Sequence, residues 1–201
     1  MSHFCVVVFA KDEHEAVRLM APYQENNMGD CPRQYLEFQE DAECDLDQET
    51  GKHGYWENPN AKWDYYRPRK YLRTKNGFVY ECRVSELLTE ATQDEINRAK
   101  ADWNAILNGT KEERFKRGLY WKKECYIEDF TDEAGYIVEN TGLLPWAFVA
   151  PDGVWHEKGH MGWWATNDAT KQSREKYRKE FQETLSALHP DLMAFSFDCH
   201  I

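Results

Sequence analysis

The chain has 201 residues, of which 14% are aromatic and 30% are charged, and its formal net charge at pH 7 is −11. The aromatic content excludes a largely disordered chain, because disordered segments are poor in the residues that build a core. The excess of carboxylates disfavours direct binding of duplex nucleic acid, or of an anionic membrane surface, by the chain as a whole.

The first apolar run, FCVVVFA at residues 4–10, has no basic flank, so we interpret it as a buried strand and not as a signal peptide. No apolar run approaches the roughly 20 residues that a membrane-spanning helix needs. The six cysteines are dispersed and form no C-x-x-C pair, which excludes a zinc ribbon or a thioredoxin-type motif. We therefore expect a cytoplasmic protein with reduced thiols and no membrane association.

Residues 11–20 are predicted to form a helix that ends at Pro22, and a turn-rich loop follows. The next stretch is acidic, since residues 34–51 hold seven carboxylates and no lysine or arginine. Such a run is typical of a solvated helix face or a mobile loop. The alternative is a surface in residues 37–49 that imitates the phosphate backbone of a nucleic acid.

The charge then inverts, because seven basic residues between positions 62 and 83 are interleaved with tyrosines and a tryptophan. Cationic groups neutralise phosphate and aromatic faces stack on bases, so this mixture suits a nucleotide or a single strand. The same stretch predicts a β-hairpin that turns at Asn76-Gly77. The alternative to ligand binding by its basic side is charge pairing with the preceding acidic run. We expect one domain over residues 1–201, in which residues 33–83 form a variable acidic-then-basic insertion.

Capping boxes at residues 92–95 and 110–113 predict the starts of two helices, since each places a threonine three residues before a glutamate. A longer helix is expected to begin at Asn167 or Asp168 and to end before Pro190. Its apolar stripe is predicted to face the core.

Two strand-like runs flank the turn at residues 151–153, and the run at residues 192–201 is also predicted to be a strand. We expect it to lie beside residues 4–10 in one sheet, in either the parallel or the antiparallel sense. The sequence therefore predicts an α+β fold, with a central sheet that contains both terminal strands, packing helices and additional β-hairpins.

The terminal strand places Asp198 and His200 on one face, with Cα atoms about 7 Å apart. If this end is buried, the carboxylate can orient an imidazole, as catalytic histidines require; the alternative is a solvated chain end. His156, between tryptophan-rich segments, is the second candidate for acid–base or ligand-orienting work.

A zinc site built from His156, His160, His200 and Asp198 is a weaker interpretation, and we expect no metal cofactor. The four-residue spacing of the first two histidines suits a metal only on a helix, and Gly159 indicates a hairpin. The sequence has no phosphate-binding P-loop, no dinucleotide glycine motif and no nucleophile elbow. These absences disfavour the common nucleotide hydrolases and acyl transferases.

Four short motifs mark the two ends of the chain: MSHF at residues 1–4, APYQEN at 21–26, PDGVWHEKG at 151–159 with MGWW at 161–164, and DCHI at 198–201. In this order they resemble a family of uncharacterised proteins encoded by tailed bacteriophages and prophages. Similar proteins carry a W-D-[WY]-[WY] segment, which residues 63–66 match, followed by a Gly-Gly-Arg-Trp-like turn. Here RPRK at residues 67–70 replaces that turn.

The resemblance implies that the polar and aromatic residues of these motifs line one pocket where the first and last strands meet. An aromatic wall with a few convergent polar groups is the usual form of a small-molecule site. The catalytic candidates are His156, His200 and Asp198. The ligand-binding candidates are Tyr23, Glu25, Asn26, Trp63, Trp163 and Trp164, and His3 and Asp64 join them in the same motifs. The alternative is that the tryptophans belong to the core.

These observations favour a phage-encoded cytoplasmic accessory protein that binds a small planar or nucleotide-like ligand and counteracts host defence. Whether it turns the ligand over stays open. One alternative is an acidic inhibitor of the DNA-mimic type, which binds a host protein through residues 37–49. The other is a metal-dependent hydrolase with zinc as its cofactor.

Overall fold

The computed structural model describes residues 2–130, 132–162 and 166–201. Its strands are β1 His3–Ala10, β2 Glu37–Glu40, β3 Gly54–Glu57, β4 Tyr65–Pro68, β5 Leu72–Thr74, β6 Gly77–Val79, β7 Glu81–Arg83, β8 Ala147–Val149, β9 Trp155–Glu157 and β10 Met193–His200. Its helices are α1 Glu13–Met20, α2 Gln93–Asn108, α3 Lys111–Lys116, α4 Lys123–Phe130, α5 Glu133–Asn140 and α6 Lys171–Ala187. Within these described ranges, no helix is long and apolar enough to cross a bilayer.

The central sheet has the strand order β4-β10-β1-β8-β9, and β7 pairs with the other half of β10. This arrangement confirms the predicted α+β class with both terminal strands in one sheet. The pairing that the sequence left open is antiparallel, with His3 opposite His200 and Ala10 opposite Met193. β8 runs parallel to β1 on its other side, and β9 returns from β8 through the predicted turn at residues 151–153.

The two faces of the sheet bury different clusters. Phe195, Phe197 and Cys199 pack on the face that α1 covers. Ala194, whose side chain points to the opposite face, belongs to a second cluster with Tyr177 of α6. This alternation confirms the predicted period of two in the last strand. It also places Asp198 and His200 on the α6 side of the sheet, close to its end.

The helix starts agree with the predicted capping boxes at Thr92 and Thr110. The prediction for α6 was wrong by a few residues, because Thr170 is the N-cap and its hydroxyl accepts from the Ser173 N–H. The side chain of Asp168 is already used, since it accepts from the peptide N–H of His160 at 2.7 Å. The side chain of Asn167 likewise accepts from a peptide N–H, that of Ala169.

A buried ionic network joins α5, α6 and Lys158, the residue that follows β9. Lys158 Nζ donates to Glu139 Oε2 at 2.7 Å, and Arg174 Nη1 donates to the same oxygen at 3.3 Å. All three side chains are less than one-tenth exposed. Burial lowers the pKa of Lys158, and the negative charge of Glu139 opposes that shift. The network fixes both helices relative to the sheet edge.

Residues 33–83 contribute to three parts of the fold. The acidic run forms the hairpin β2–β3 and its turns in place of the expected helix face or loop. β4 and β7 belong to the central sheet, where both pair with β10. The predicted hairpin is confirmed as β5–β6, but its two-residue turn is Lys75-Asn76, one residue before the predicted Asn76-Gly77, because Thr74 pairs with Gly77. Gly77 begins β6 with a positive φ of +106°, which favours glycine.

Candidate functional site

The ends of β1, β4 and β10 bring four ionisable side chains together on the α6 side of the sheet. His3 lies opposite His200, and Asp198 lies opposite Arg67. Cross-strand partners share a face, so these side chains are immediate neighbours. The sequence placed Asp198 and His200 on one face, and the strand pairing adds His3 and Arg67 to them.

Asp198 is a buried carboxylate held by two arginines. Its side chain is only 3% exposed, and it accepts from Arg67 Nε and Nη2 at 3.1 and 3.0 Å and from Arg69 Nη1 at 3.0 Å. His3 Nδ1 lies 3.3 Å from the same carboxylate. Burial raises the pKa of Asp198, but these partners outweigh it and keep that pKa below its ordinary value. The carboxylate therefore stays ionised and orients both guanidinium groups.

His200 is held by a second carboxylate. Its Nδ1 lies 2.7 Å from Asp64 Oδ1, and the peptide N–H of Asp64 donates to the His200 carbonyl at 3.0 Å. A carboxylate partner fixes the proton of the neutral ring on Nδ1, which leaves Nε2 as an acceptor. That Nε2 is buried and has no hydrogen-bond partner in the described part of the chain. An unsatisfied buried acceptor costs about 1–3 kcal/mol.

An open recess of about 570 Å³ lies over Asp198. Its lining residues are His3, Arg67, Pro68, Arg69, Lys70 and Asp198. The side chains of Arg67 and Arg69 are 63% and 52% exposed, although both contact the buried carboxylate. Three cations and one imidazole thus surround a single carboxylate, so the recess is locally positive in an acidic protein. Planar guanidinium groups in this setting suit phosphate or carboxylate.

Tyr65 extends the recess along the edge strand β4. It pairs with His200, so its ring lies on the same face as Arg67, and it is 62% exposed. An exposed aromatic ring beside cationic groups can stack on a base. The alternation of Tyr65, Arg67 and Arg69 is the signal in the sequence that could have identified this side of the site.

His156 lies at the opposite edge of the sheet. In β9 it pairs with Phe148, their rings stack at a centroid distance of 4.4 Å, and its Nδ1 lies 3.3 Å from Glu180 of α6. Three strand spacings and a four-residue offset separate it from His200 by roughly 20 Å. The sequence led us to expect His156 and His200 in one pocket, and the structure places them in separate parts of the sheet. The zinc arrangement fails on the same geometry, and the described residues contain no group of three metal-ligating side chains.

Tyr23 and Trp63 pack with the core on the α1 side of the sheet. Tyr23 donates through its hydroxyl to the Gly153 carbonyl at 2.7 Å and accepts from the Trp155 N–H at 3.0 Å. Trp63 is 3% exposed and lies edge-on to Tyr66. These contacts agree with the alternative in which the aromatic residues of the motifs belong to the core.

Glu25 and Asn26 lie near this core rather than in the recess. Burial raises the pKa of Glu25, and the neighbouring charge of Asp64 raises it further. Asn26 donates through Nδ2 to the Trp56 carbonyl at 2.8 Å. The remaining predicted residues, Trp163 and Trp164, lie outside the described residues.

Comparisons of the chain with protein-family models, with curated proteins and with solved structures found no match.

Proposed function

We propose that the protein binds a small phosphorylated ligand of the nucleotide type in the recess over Asp198. The observation that carries the proposal is the pair of guanidinium groups of Arg67 and Arg69. Both are oriented by one buried carboxylate, yet both remain more than half exposed. Because the carboxylate uses only part of each guanidinium fork, each arginine keeps N–H donors for a phosphate.

Three further features support the proposal, and the second of them favours a nucleotide over a simple anion. Lys70 adds a third cation to the lining of the recess. Tyr65 offers an exposed ring on the same face, at a position where a base could stack. His3, half-exposed beside Asp198, offers an imidazole to a ribose or phosphate oxygen.

The biological setting of the proposal comes from the resemblance to phage-encoded proteins. Capture of a nucleotide in the cytoplasm of an infected cell would remove a signal or a substrate that host defence uses. The acidic alternative has less support, because four of the seven carboxylates in residues 37–49 make contacts inside the hairpin. Glu40 pairs with Lys52, Glu49 pairs with Arg33, and Asp41 and Asp47 accept from turn N–H groups.

Calorimetric titration with AMP, ATP, inorganic phosphate and adenosine tests the proposal. We expect the phosphorylated compounds to bind at least tenfold more tightly than adenosine, because a charge-assisted hydrogen bond to an arginine contributes about 1.5–3 kcal/mol. The substitution Arg69→Gln should weaken that binding by tenfold or more. Lys70→Gln should weaken it too, without disturbing the partners of Asp198.

The matched control is Arg18→Gln. Arg18 is 62% exposed on α1, pairs with Glu15 and lies away from the recess. Binding that falls equally in the control variant, or that survives both Arg69→Gln and Lys70→Gln, would place the ligand elsewhere. Absence of binding by every phosphorylated compound would overturn the proposal.

A further inference from the structure

A cavity of about 660 Å³ lies where α6 passes the end of α5 and the segment that joins β7 to α2. Val84 and Leu87 of that segment line it, and Val84 directly follows β7, which pairs with the start of β10. The recess over Asp198 lies at the other end of β10, so the two sites are separate. The volume is within the range of about 300–1,000 Å³ that is typical of sites for small molecules.

Helix α6 gives the cavity an apolar floor and a polar rim. Phe181 and Leu185 lie one turn apart and belong to the floor, whereas Arg178, Gln182 and Ser186 follow one another at four-residue spacing along the neighbouring stripe. More than half of the lining residues are apolar, and apart from Phe181 these are aliphatic. Phe181 is only 2% exposed, so it offers no ring face for stacking. The floor therefore suits an aliphatic chain better than a planar ligand.

Arg178 is a half-buried cation without a partner. No ion pair or hydrogen bond within the described part of the chain involves its guanidinium group, and the same is true of the Gln182 amide one turn further along α6. A cation that has lost part of its water needs another acceptor, and a guanidinium presents a fork of N–H donors that matches a carboxylate. Among the described lining residues the only carboxylate is Glu90, which is exposed and belongs to the segment before α2.

The walls of the cavity are held together by backbone contacts. The Leu143 N–H donates to the Thr89 carbonyl at 3.1 Å, which attaches the chain after α5 to the segment before α2. Gly142 has a φ of +69°, and a Cβ atom there would lie 2.7 Å from the same carbonyl, so glycine allows this close approach. Arg73 donates to the Glu90 carbonyl of the same segment. A ligand would therefore meet a cavity that is already formed, which lowers the cost of binding.

We propose that this cavity is a second ligand site, which binds an aliphatic carboxylate of medium chain length. The carboxylate accepts hydrogen bonds from Arg178 and Gln182 at the rim, and the hydrocarbon chain lies on the aliphatic floor. The site is independent of the proposed nucleotide binding, because the two cavities share no lining residue.

Calorimetric titration of the protein with octanoate, nonanoate and decanoate, each below its critical micelle concentration, tests the proposal. We expect the affinity to rise about fourfold for each added methylene, because each one is transferred from water to the apolar floor. Decanol and decyltrimethylammonium have comparable chains but no anionic group. Both should bind about 10- to 100-fold more weakly than decanoate, since the charge-assisted hydrogen bonds to Arg178 are lost.

Three substitutions in the lining separate the headgroup from the chain. Arg178→Gln should weaken decanoate binding by about 10- to 100-fold and change decanol binding little. Glu90→Gln removes the exposed carboxylate and should not weaken decanoate binding. Val138→Phe fills part of the cavity and should weaken decanoate and decanol alike. The matched control is Arg98→Gln, because Arg98 is exposed on α2 and lies outside the lining.

Melting temperatures show whether each variant folds, and Arg178→Gln decides the question if Val138→Phe does not. Equal binding of decanoate and decanol, or equal binding of decanoate by the wild-type protein and by Arg178→Gln, would overturn the proposal. So would an affinity that does not depend on chain length, an equal loss in Arg98→Gln, or no binding of any carboxylate. Arg69→Gln should leave decanoate binding unchanged, and a loss there would place the carboxylate in the recess over Asp198 instead.

Discussion

Asp64 Oδ1 lies 2.7 Å from Nδ1 of His200, and the backbones of the same two residues are also hydrogen-bonded, at 3.0 Å. The segment before β4 is thereby attached to the end of β10 through both main chain and side chain. A histidine held at two points in this way has a fixed ring orientation and a fixed tautomer. Asp64 is thus a positioning residue for the imidazole.

The substitution Asp64→Asn tests that role. In the wild-type protein we expect the neutral ring of His200 to carry its proton on Nδ1. An amide at position 64 can donate to Nδ1, so the variant should shift the proton towards Nε2. Nitrogen-15 NMR of the imidazole distinguishes the two tautomers. Asn27→Ala, which removes a weaker 3.3 Å contact to the other Asp64 oxygen, should leave the tautomer unchanged.

Tyr65 should distinguish a nucleotide from a simple phosphate. Stacking of a base on an aromatic ring contributes about 1–3 kcal/mol by alanine substitution. We therefore expect Tyr65→Ala to weaken binding of AMP by about 5- to 100-fold and to leave inorganic phosphate unaffected, as measured by calorimetry. Tyr55→Ala, at an exposed ring in the separate hairpin β2–β3, is the control and should change neither affinity. An equal loss for phosphate and AMP would contradict stacking.

Asp198 should make stability depend on pH in the acidic range. Its pKa in the folded protein lies below the ordinary value of an aspartate, because Arg67, Arg69 and His3 favour the ionised form, so the unfolded chain binds more protons in the acidic range. The stabilisation is then complete above about pH 4 and is lost as pH falls through the folded-state pKa. Asp198→Asn should lower the melting temperature at pH 7, and the difference from wild type should shrink towards pH 2. A constant difference across that range would show that the loss is not electrostatic.

Local signals in the sequence predicted much of the fold, because they act over a few residues. The threonines of the capping boxes bond to peptide groups three residues on. The hairpin of β5 and β6 likewise depends on a local turn signal, although the turn lies one residue before the predicted position. The shared face of Asp198 and His200 follows from the two-residue period of a strand.

The position of His156 could not be predicted in the same way. It depends on β9 joining the sheet beyond β8, and strand order is set by packing between segments that are far apart in sequence. The same limit applies to Arg67 and Arg69. Their basic, aromatic-rich stretch is of a type that suits a nucleotide. Its pairing with β10, which places the arginines over Asp198, does not follow from the local sequence. The residue types can be identified from the sequence, whereas the contact of the two arginines with Asp198 depends on the pairing of β4 with β10.

Tyr23 should be important for stability and not for ligand binding. Its hydroxyl links the Gly153 carbonyl and the Trp155 N–H across the turn at residues 151–153. Tyr23→Phe leaves both partners without this hydroxyl, which should cost about 1–3 kcal/mol of unfolding free energy in urea titrations. Affinity for AMP should not change, since the ring packs on the α1 side of the sheet. A loss of affinity for AMP with unchanged stability would instead show that Tyr23 contributes to ligand binding.

The buried network of Lys158, Glu139 and Arg174 should be sensitive to loss of its shared anion. Glu139→Ala leaves two buried cations without their shared anion, and breaking such a pair costs about 3–5 kcal/mol. Lys158→Met removes the cation that is almost fully buried and, in the Glu139→Ala background, should recover part of that loss. Urea unfolding of the single and double variants gives the coupling energy directly. Additive losses would mean that Lys158 and Glu139 do not interact in the folded protein, in conflict with their 2.7 Å contact.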